Sequence, residues 1–190
     1  MKGRRRRRRR LAIVGVLAAA TVAFLIVSGV IDRAIQELTL PLRHEDIIRQ
    51  QSREKEVDAS LIAAVIYAES KFSDSTSSAG ARGLMQVTPQ TANEVERHSG
   101  GMTFEVGDLA DPEINIRYGT FVLRELLNRY DDDVVAALAA YNAGPTNVDR
   151  WGGGELTIDG IDFPETRAYV GGVLDKRDAY REEYARELGY

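Results

Sequence analysis

Cysteine is absent from all 190 residues. That excludes disulfides, thiolate zinc sites and a lipid-modified N-terminal cysteine, so the domain folds on its hydrophobic core alone. Histidine is scarce as well: His44 and His98 are the two present, far apart and outside any ligand-type motif, which points away from a metal enzyme. The chain shows no phosphate loop, no dinucleotide fingerprint and no internal repeat. No cofactor and no metal are expected.

Positive charge is thin outside one place. Eight of the 25 Lys and Arg are Lys2 and Arg4 to Arg10, which leaves 17 against all 29 Asp and Glu, a formal charge of −12 beyond residue 10. An acidic body is a poor partner for phosphate backbones, so no nucleic acid is expected as a ligand. Directly after the arginines, residues 11–31 run for 21 positions without a charge, enough to cross a bilayer core of ~30 Å at 1.5 Å per residue. The small residues Ala18, Ala19, Ala20 and Ala23 lie inside this run instead of at its end, where a cleavage site would need them, so it reads as an uncleaved signal anchor. The positive-inside rule then leaves residues 1–10 in the cytoplasm and places everything after Ile31 on the outer face of the membrane.

Residues 32–44 form a polar tether containing Pro41, and residues 45–190 form the folded domain. Helix signals follow one another along it. Glu45 to Glu56 is amphipathic; Asp58 or Ser60 caps an apolar helix ending near Ser70; Thr88-Pro89 opens a helix toward His98, stopped by Gly100-Gly101. Pro112 opens a long helix to about Tyr130, Asp131 to Asp133 cap Val134 to Tyr141, and a last helix starts at Pro164 and runs toward Leu188. Leu156 to Phe163 carries an Asp-Gly turn signal and predicts one small hairpin. The fold class is therefore mainly α, with at most this token of sheet.

One residue breaks the pattern of the apolar helix. Glu69 follows Leu61-Ile62-Ala63-Ala64-Val65-Ile66-Tyr67-Ala68, a run apolar on every helical face that belongs in a core. A carboxylate taken out of water tends to keep its proton, and the negative pole at a helix C-terminus acts in the same direction. Glu69 is thus expected to titrate above the ~4.3 of a free Glu. An acid protonated near neutrality is what cleavage of a glycosidic bond requires, because the leaving oxygen must gain a proton as it departs.

Three further motifs follow Glu69-Ser70 in order: Gly83-Leu84-Met85-Gln86, then Ala140-Tyr141-Asn142-Ala143-Gly144, then Glu165-Thr166-Arg167-Ala168-Tyr169-Val170. This ordered set resembles the soluble lytic transglycosylase family, the SLT domain of lysozyme-like fold, over roughly residues 47–176. The resemblance implies peptidoglycan glycan strands as partner and Glu69 as sole catalytic acid and base. It implies cleavage of the β-1,4 bond between N-acetylmuramic acid and N-acetylglucosamine with closure of a 1,6-anhydro ring. Ser77, Met85, Gln86, Tyr141, Asn142, Glu165 and Tyr169 carry over as substrate-binding residues of the cleft, with Tyr141 placed to orient Glu69. Val87-Thr88 stands where many relatives have an apolar residue and then Met before the proline, which bears on substrate preference.

Two other readings compete. A hydrolytic muramidase would need a second carboxylate to hold a water, with Asp74, Asp108 and Asp111 as candidates. A catalytically idle scaffold would use the same groove to hold wall glycan.

Overall fold

In the computed structural model, residues 21, 24, 27–28, 30–31, 35–78, 80–99 and 105–190 are described. The chain divides into two units, Met1–Pro41 and Leu42–Tyr190. Within the first, the described residues up to 39 are helical, including residues 35–39 of the expected tether, where the Thr39 hydroxyl donates to the Ile35 carbonyl at 2.8 Å. Most of the expected spanning segment, residues 11–31, lies outside the described residues, and among those described no helix is long and apolar enough to cross a membrane.

The second unit is helical throughout: α1 Glu45–Lys55, α2 Ala59–Ser70, α3 Pro89–Ser99, α4 Pro112–Arg129, α5 Val134–Ala143, α6 Pro145–Trp151, α7 Pro164–Glu183 and α8 Ala185–Leu188. Short 3-10 turns occupy Val106–Ala110, Gly153–Glu155 and Ile158–Gly160. Helix starts are fixed by side chains that accept otherwise unpaired backbone N–H groups. Asp58 takes Ser60 and Leu61, Asp111 takes Glu113 and Ile114, Asp133 takes Ala136, and the Thr88 hydroxyl takes Thr91. Each such cap contributes about 1 kcal/mol. Asp58 is held further by Arg181 and by the Tyr190 hydroxyl, which ties the start of α2 to the end of the chain's helical stack.

Two helices form the centre. All residues of α2 from Ala59 to Ile66 are buried, and α2 packs most extensively against α7. In α5, residues 136–140 are buried in sequence, and the small side chains of Ala136, Ala137, Ala139 and Ala140 let the helix run against both α4 and α7. Helices apolar on every face have no solvent side, so they take the interior while amphipathic α1 and α4 flank them. Full burial of a Leu, Ile or Val contributes about 1.5–3 kcal/mol each, and Leu61, Ile62, Val65 and Ile66 lie together in two turns. Where Met85 enters the core, α4 offers Gly119: a Cβ there would sit 2.5 Å from the Met85 sulfur.

Two sequence expectations change. Among the described residues no strand forms, and the pairing that exists is two isolated bridges, Thr76 with Arg82 and Arg82 with Val87. The expected hairpin at residues 156–163 is instead a 3-10 turn, with the Gly160 N–H donating to the Thr157 carbonyl at 3.0 Å. Leu156 and Ile161, both buried, pin this segment at two points, so its side chains do not alternate between faces as a strand's would. The second change is α6, a helix that begins at Pro145 immediately after Gly144, where the sequence showed a helix end. Gly144 at φ 83° ends α5 and turns the chain, and Pro145 at the first helical position starts the next helix.

The glycines of α4 and α7 differ in what surrounds them, and their replacement by alanine separates packing from propensity. Gly119→Ala is expected to destabilise by about 1–3 kcal/mol through overpacking against Met85. Gly172→Ala, with nothing within 4 Å of its added Cβ, is expected to stabilise by up to about 1 kcal/mol. Urea denaturation of the two variants checks both signs.

Candidate active site

Glu69 occupies the last turn of α2, just before Lys71 ends the helix in the left-handed region with its N–H on the Tyr67 carbonyl at 2.9 Å. Its carboxyl is mostly withdrawn from solvent. One oxygen, Oε1, accepts a hydrogen bond from the Tyr169 hydroxyl at 2.8 Å, across 100 residues of sequence, because α2 and α7 pack side by side. Among the described residues no Lys, Arg or His makes an ion pair with it. Burial raises the Glu69 pKa above the ordinary carboxylate range, and the Tyr169 hydrogen bond, which favours the ionised form, acts against that rise. The tyrosine itself stays a neutral donor, since burial first and the Glu69 charge second push its ionisation well up.

Tyr141, from the C-terminal half of α5, stands close enough for the Glu69 charge to raise its pKa further, after burial. Its hydroxyl does not orient Glu69 as expected: it donates to the Met85 carbonyl at 2.9 Å, and the donor to Glu69 is Tyr169. Met85 differs from expectation too. Its side chain is fully buried against Gly119 and Thr120, so its contribution at this site is its backbone carbonyl and not an apolar face in the cleft.

The Gly83-Leu84-Met85-Gln86 turn is shaped from several sides. Gly83 has φ +74°, and a Cβ on it would fall 2.2 Å from the Asn115 side-chain nitrogen and 2.5 Å from the Leu109 carbonyl oxygen, so no other residue fits. Gln86, itself at φ 49°, turns its side-chain amide back to the Gly83 carbonyl at 2.9 Å and to the carbonyl and hydroxyl of Ser75 at 3.1 Å each. In the same loop the Ser77 hydroxyl accepts the Ala81 N–H at 3.0 Å. The Ser70 hydroxyl, next to Glu69, donates to the Leu84 carbonyl at 2.8 Å.

The remaining expected residues are placed more loosely. Asn142 is exposed, and its side-chain oxygen accepts the Thr166 hydroxyl at 2.8 Å, joining the end of α5 to the first turn of α7. Glu165 is exposed in that first turn. Of the three carboxylates considered for a hydrolase, Asp108 accepts the Glu105 N–H at 2.9 Å and Asp111 caps α4, while Asp74 is exposed in the loop after α2. Two cavities of about 470 and 210 Å³ that border Phe121 and Glu125 of α4 contain none of these site residues.

Sequence reasoning missed Asn115 and the roles of Ser70 and Thr166. A polar side chain between Ile114 and Ile116 in the first turns of α4 was the one available signal for Asn115.

A single carboxyl with one oxygen held by a phenol and, among the described residues, no partner on the other and no cation paired with it is built to carry a proton and release it. The Transglycosylase SLT domain family model matches residues 46–160. The soluble lytic murein transglycosylase of Escherichia coli strain K12 is 35% identical over 153 residues, covering 76% of this chain and 24% of that protein. A membrane-bound lytic murein transglycosylase C of Shigella sonnei is 39% identical over 114 residues, 55% of this chain and 32% of that protein. The structure of an inactive mutant of the lytic transglycosylase Slt from Pseudomonas aeruginosa superposes with a TM-score of 0.74 at 32% identity, covering 79% of this chain and 26% of that one. This chain therefore spans about a quarter of the length of E. coli Slt.

A carboxyl whose folded pKa lies above its unfolded value costs stability wherever it is ionised in both states, and costs nothing where both states are protonated. Glu69→Gln is accordingly expected to raise the melting temperature at pH 7, with the gain fading as pH falls through the folded pKa of Glu69 and gone by about 4.3. Thermal denaturation of both proteins across that range checks it.

Proposed function

This chain belongs to the SLT transglycosylase family, and on that premise we propose that it is a peptidoglycan lytic transglycosylase in which Glu69 serves as acid and then as base. The Tyr169–Glu69 hydrogen bond, with no basic partner on the carboxyl among the described residues, is the observation that carries this reading. With Oε1 occupied by the phenol, the acidic proton resides on Oε2. It passes to the oxygen bridging N-acetylmuramic acid and N-acetylglucosamine as the bond from that oxygen to C1 breaks, and the N-acetylglucosamine side leaves as an alcohol. The acetamido oxygen of the muramic acid closes on C1. The Glu69 carboxylate, stabilised by the Tyr169 hydroxyl, then takes the proton of the C6 hydroxyl while O6 displaces the acetamido oxygen and closes the 1,6-anhydro ring. Glu69 ends protonated, and no water is consumed.

One carboxylate suffices because both nucleophiles belong to the sugar, where an attacking group already held beside C1 gains a large effective molarity. That Asp108 and Asp111 are taken up as backbone caps weighs against two of the three carboxylates a hydrolytic muramidase could use. Ser77, Gln86, Asn142 and Glu165 line or border the same loops and helix ends and are proposed to contact the glycan. Residues 11–31 are proposed to anchor the protein with residues 1–10 in the cytoplasm and the domain on the cell-wall side. The arginine run, the acidic charge of the rest of the chain and a relative named as membrane-bound support this.

Mass spectrometry of digested wall sacculi is expected to find 1,6-anhydromuramic ends; reducing ends that have gained a water would refute the reading. Glu69→Gln is expected to lose about 10²–10⁴-fold in turnover. Because Glu69 must be protonated to act, kcat/KM falls as pH rises through its folded pKa. Tyr169→Phe removes the bond that favours the ionised form, so this alkaline fall is expected to move to higher pH, with kcat lower by about tenfold or more. Steady-state pH profiles of the two proteins measure both effects.

A further inference from the structure

Three helices grip two successive peptides. The Leu84–Met85 amide has its carbonyl bonded by the Ser70 hydroxyl of α2 at 2.8 Å and its N–H bonded to the Asn115 side-chain oxygen of α4 at 2.8 Å. The next carbonyl, that of Met85, takes the Tyr141 hydroxyl of α5 at 2.9 Å. Asn115 is wholly buried, and its side-chain nitrogen spends both N–H groups on the carbonyls of Arg82 and Leu109, each at 2.9 Å. Three of its hydrogen bonds thus fix the turn from inside, and Gly83 is bare because a Cβ would strike the Asn115 amide. An amide that donates twice and accepts once at these three places has no equivalent among the other side chains: Asp lacks the donors, and Leu or Ser lacks either the polarity or the reach.

We propose that Asn115 is a positioning residue for the reaction, acting through the Met85 peptide on Tyr141. The Met85 carbonyl, held in place by Asn115, takes the hydrogen of the Tyr141 hydroxyl and so keeps that hydroxyl from donating to Glu69. Glu69 then receives one phenolic hydrogen bond, from Tyr169, instead of two. A second donor would stabilise the carboxylate and draw Glu69 toward its ionised form, so that less of it holds the proton the first step must deliver. The inference rests on the reading of Glu69 as the acid, and it assigns to a residue beyond contact with substrate the task of setting that acid's strength.

The test uses the full chain in detergent or membranes. Asn115→Ser is expected to lower kcat about tenfold and to move its alkaline fall to lower pH, the opposite direction to Tyr169→Phe, with KM changed less than kcat. In a Tyr141→Phe background the same substitution is expected to change kcat less than twofold, because no hydroxyl remains to be misdirected. Equal losses in both backgrounds would show damage to the scaffold alone and overturn the proposal. Hydrogen exchange on the unsubstituted protein keeps the test independent of how the variants fold: the Met85 amide and the Asn115 side-chain amide are expected to exchange as slowly as the α2 backbone. Exchange as fast as that of the exposed loop around Ser78 would overturn the clamp without bearing on the chemistry, whereas absence of anhydro ends would overturn the chemistry without bearing on the clamp.

Discussion

The removal of one carboxyl group from water, at the end of a helix apolar on every face, is the constraint around which this domain is arranged. Burying Leu61 to Ile66 forces α2 into the centre, and its last turn carries Glu69 to the rim of the core, where solvent is scarce and the helix dipole is negative. Desolvation alone would make Glu69 a strong holder of its proton and therefore a reluctant acid. The Tyr169 hydrogen bond offsets part of that, so that the same group can lose a proton in one step and recover one in the next. The pairing depends on α7 lying along α2, which is the most extensive helix contact in the domain.

The other elements serve to hold the surroundings of that carboxyl still. The Gly83-Leu84-Met85-Gln86 turn has no regular secondary structure to satisfy its backbone, so side chains from α2, α4 and α5 satisfy it, together with Gln86 acting on its own loop. Each of these bonds is worth about 1 kcal/mol net, but leaving any of the buried partners unpaired costs more than that. Asn142 and Thr166 join α5 to the start of α7 in the same manner. Function and fold share these bonds, and the loop cannot shift without moving the tyrosine that faces Glu69.

What could be read in the sequence was whatever local chemistry decides. Asp58, Thr88, Pro112 and Asp131 to Asp133 marked helix starts because capping is settled within three residues, and the apolar run before Glu69 showed that its carboxyl would be starved of water. The four ordered motifs marked the region of the site. Pairings between distant segments were not legible. Tyr141 and Tyr169 both stood in motifs, yet only the packing of α2 on α7 decides which phenol reaches Glu69. Met85 read as a cleft residue because sequence cannot say that Gly119 leaves space for it inside. Asn115 sat in an amphipathic helix with no motif around it, and its three partners lie 6 to 33 residues away. The hairpin at residues 156–163 failed for a related reason: the Asp-Gly turn signal is local, but Leu156 and Ile161 are claimed by the core.

Direct titration of Glu69 tests the central claim most closely. With carbon-13 in the glutamate side chains and Glu69→Gln to assign its resonance, the carboxyl shift is followed from pH 3 to 9. A midpoint clearly above the ~4.3 of a free glutamate, moving upward in Tyr169→Phe, is the predicted result. A midpoint at or below that value, unmoved by the loss of the Tyr169 hydroxyl, would contradict the account.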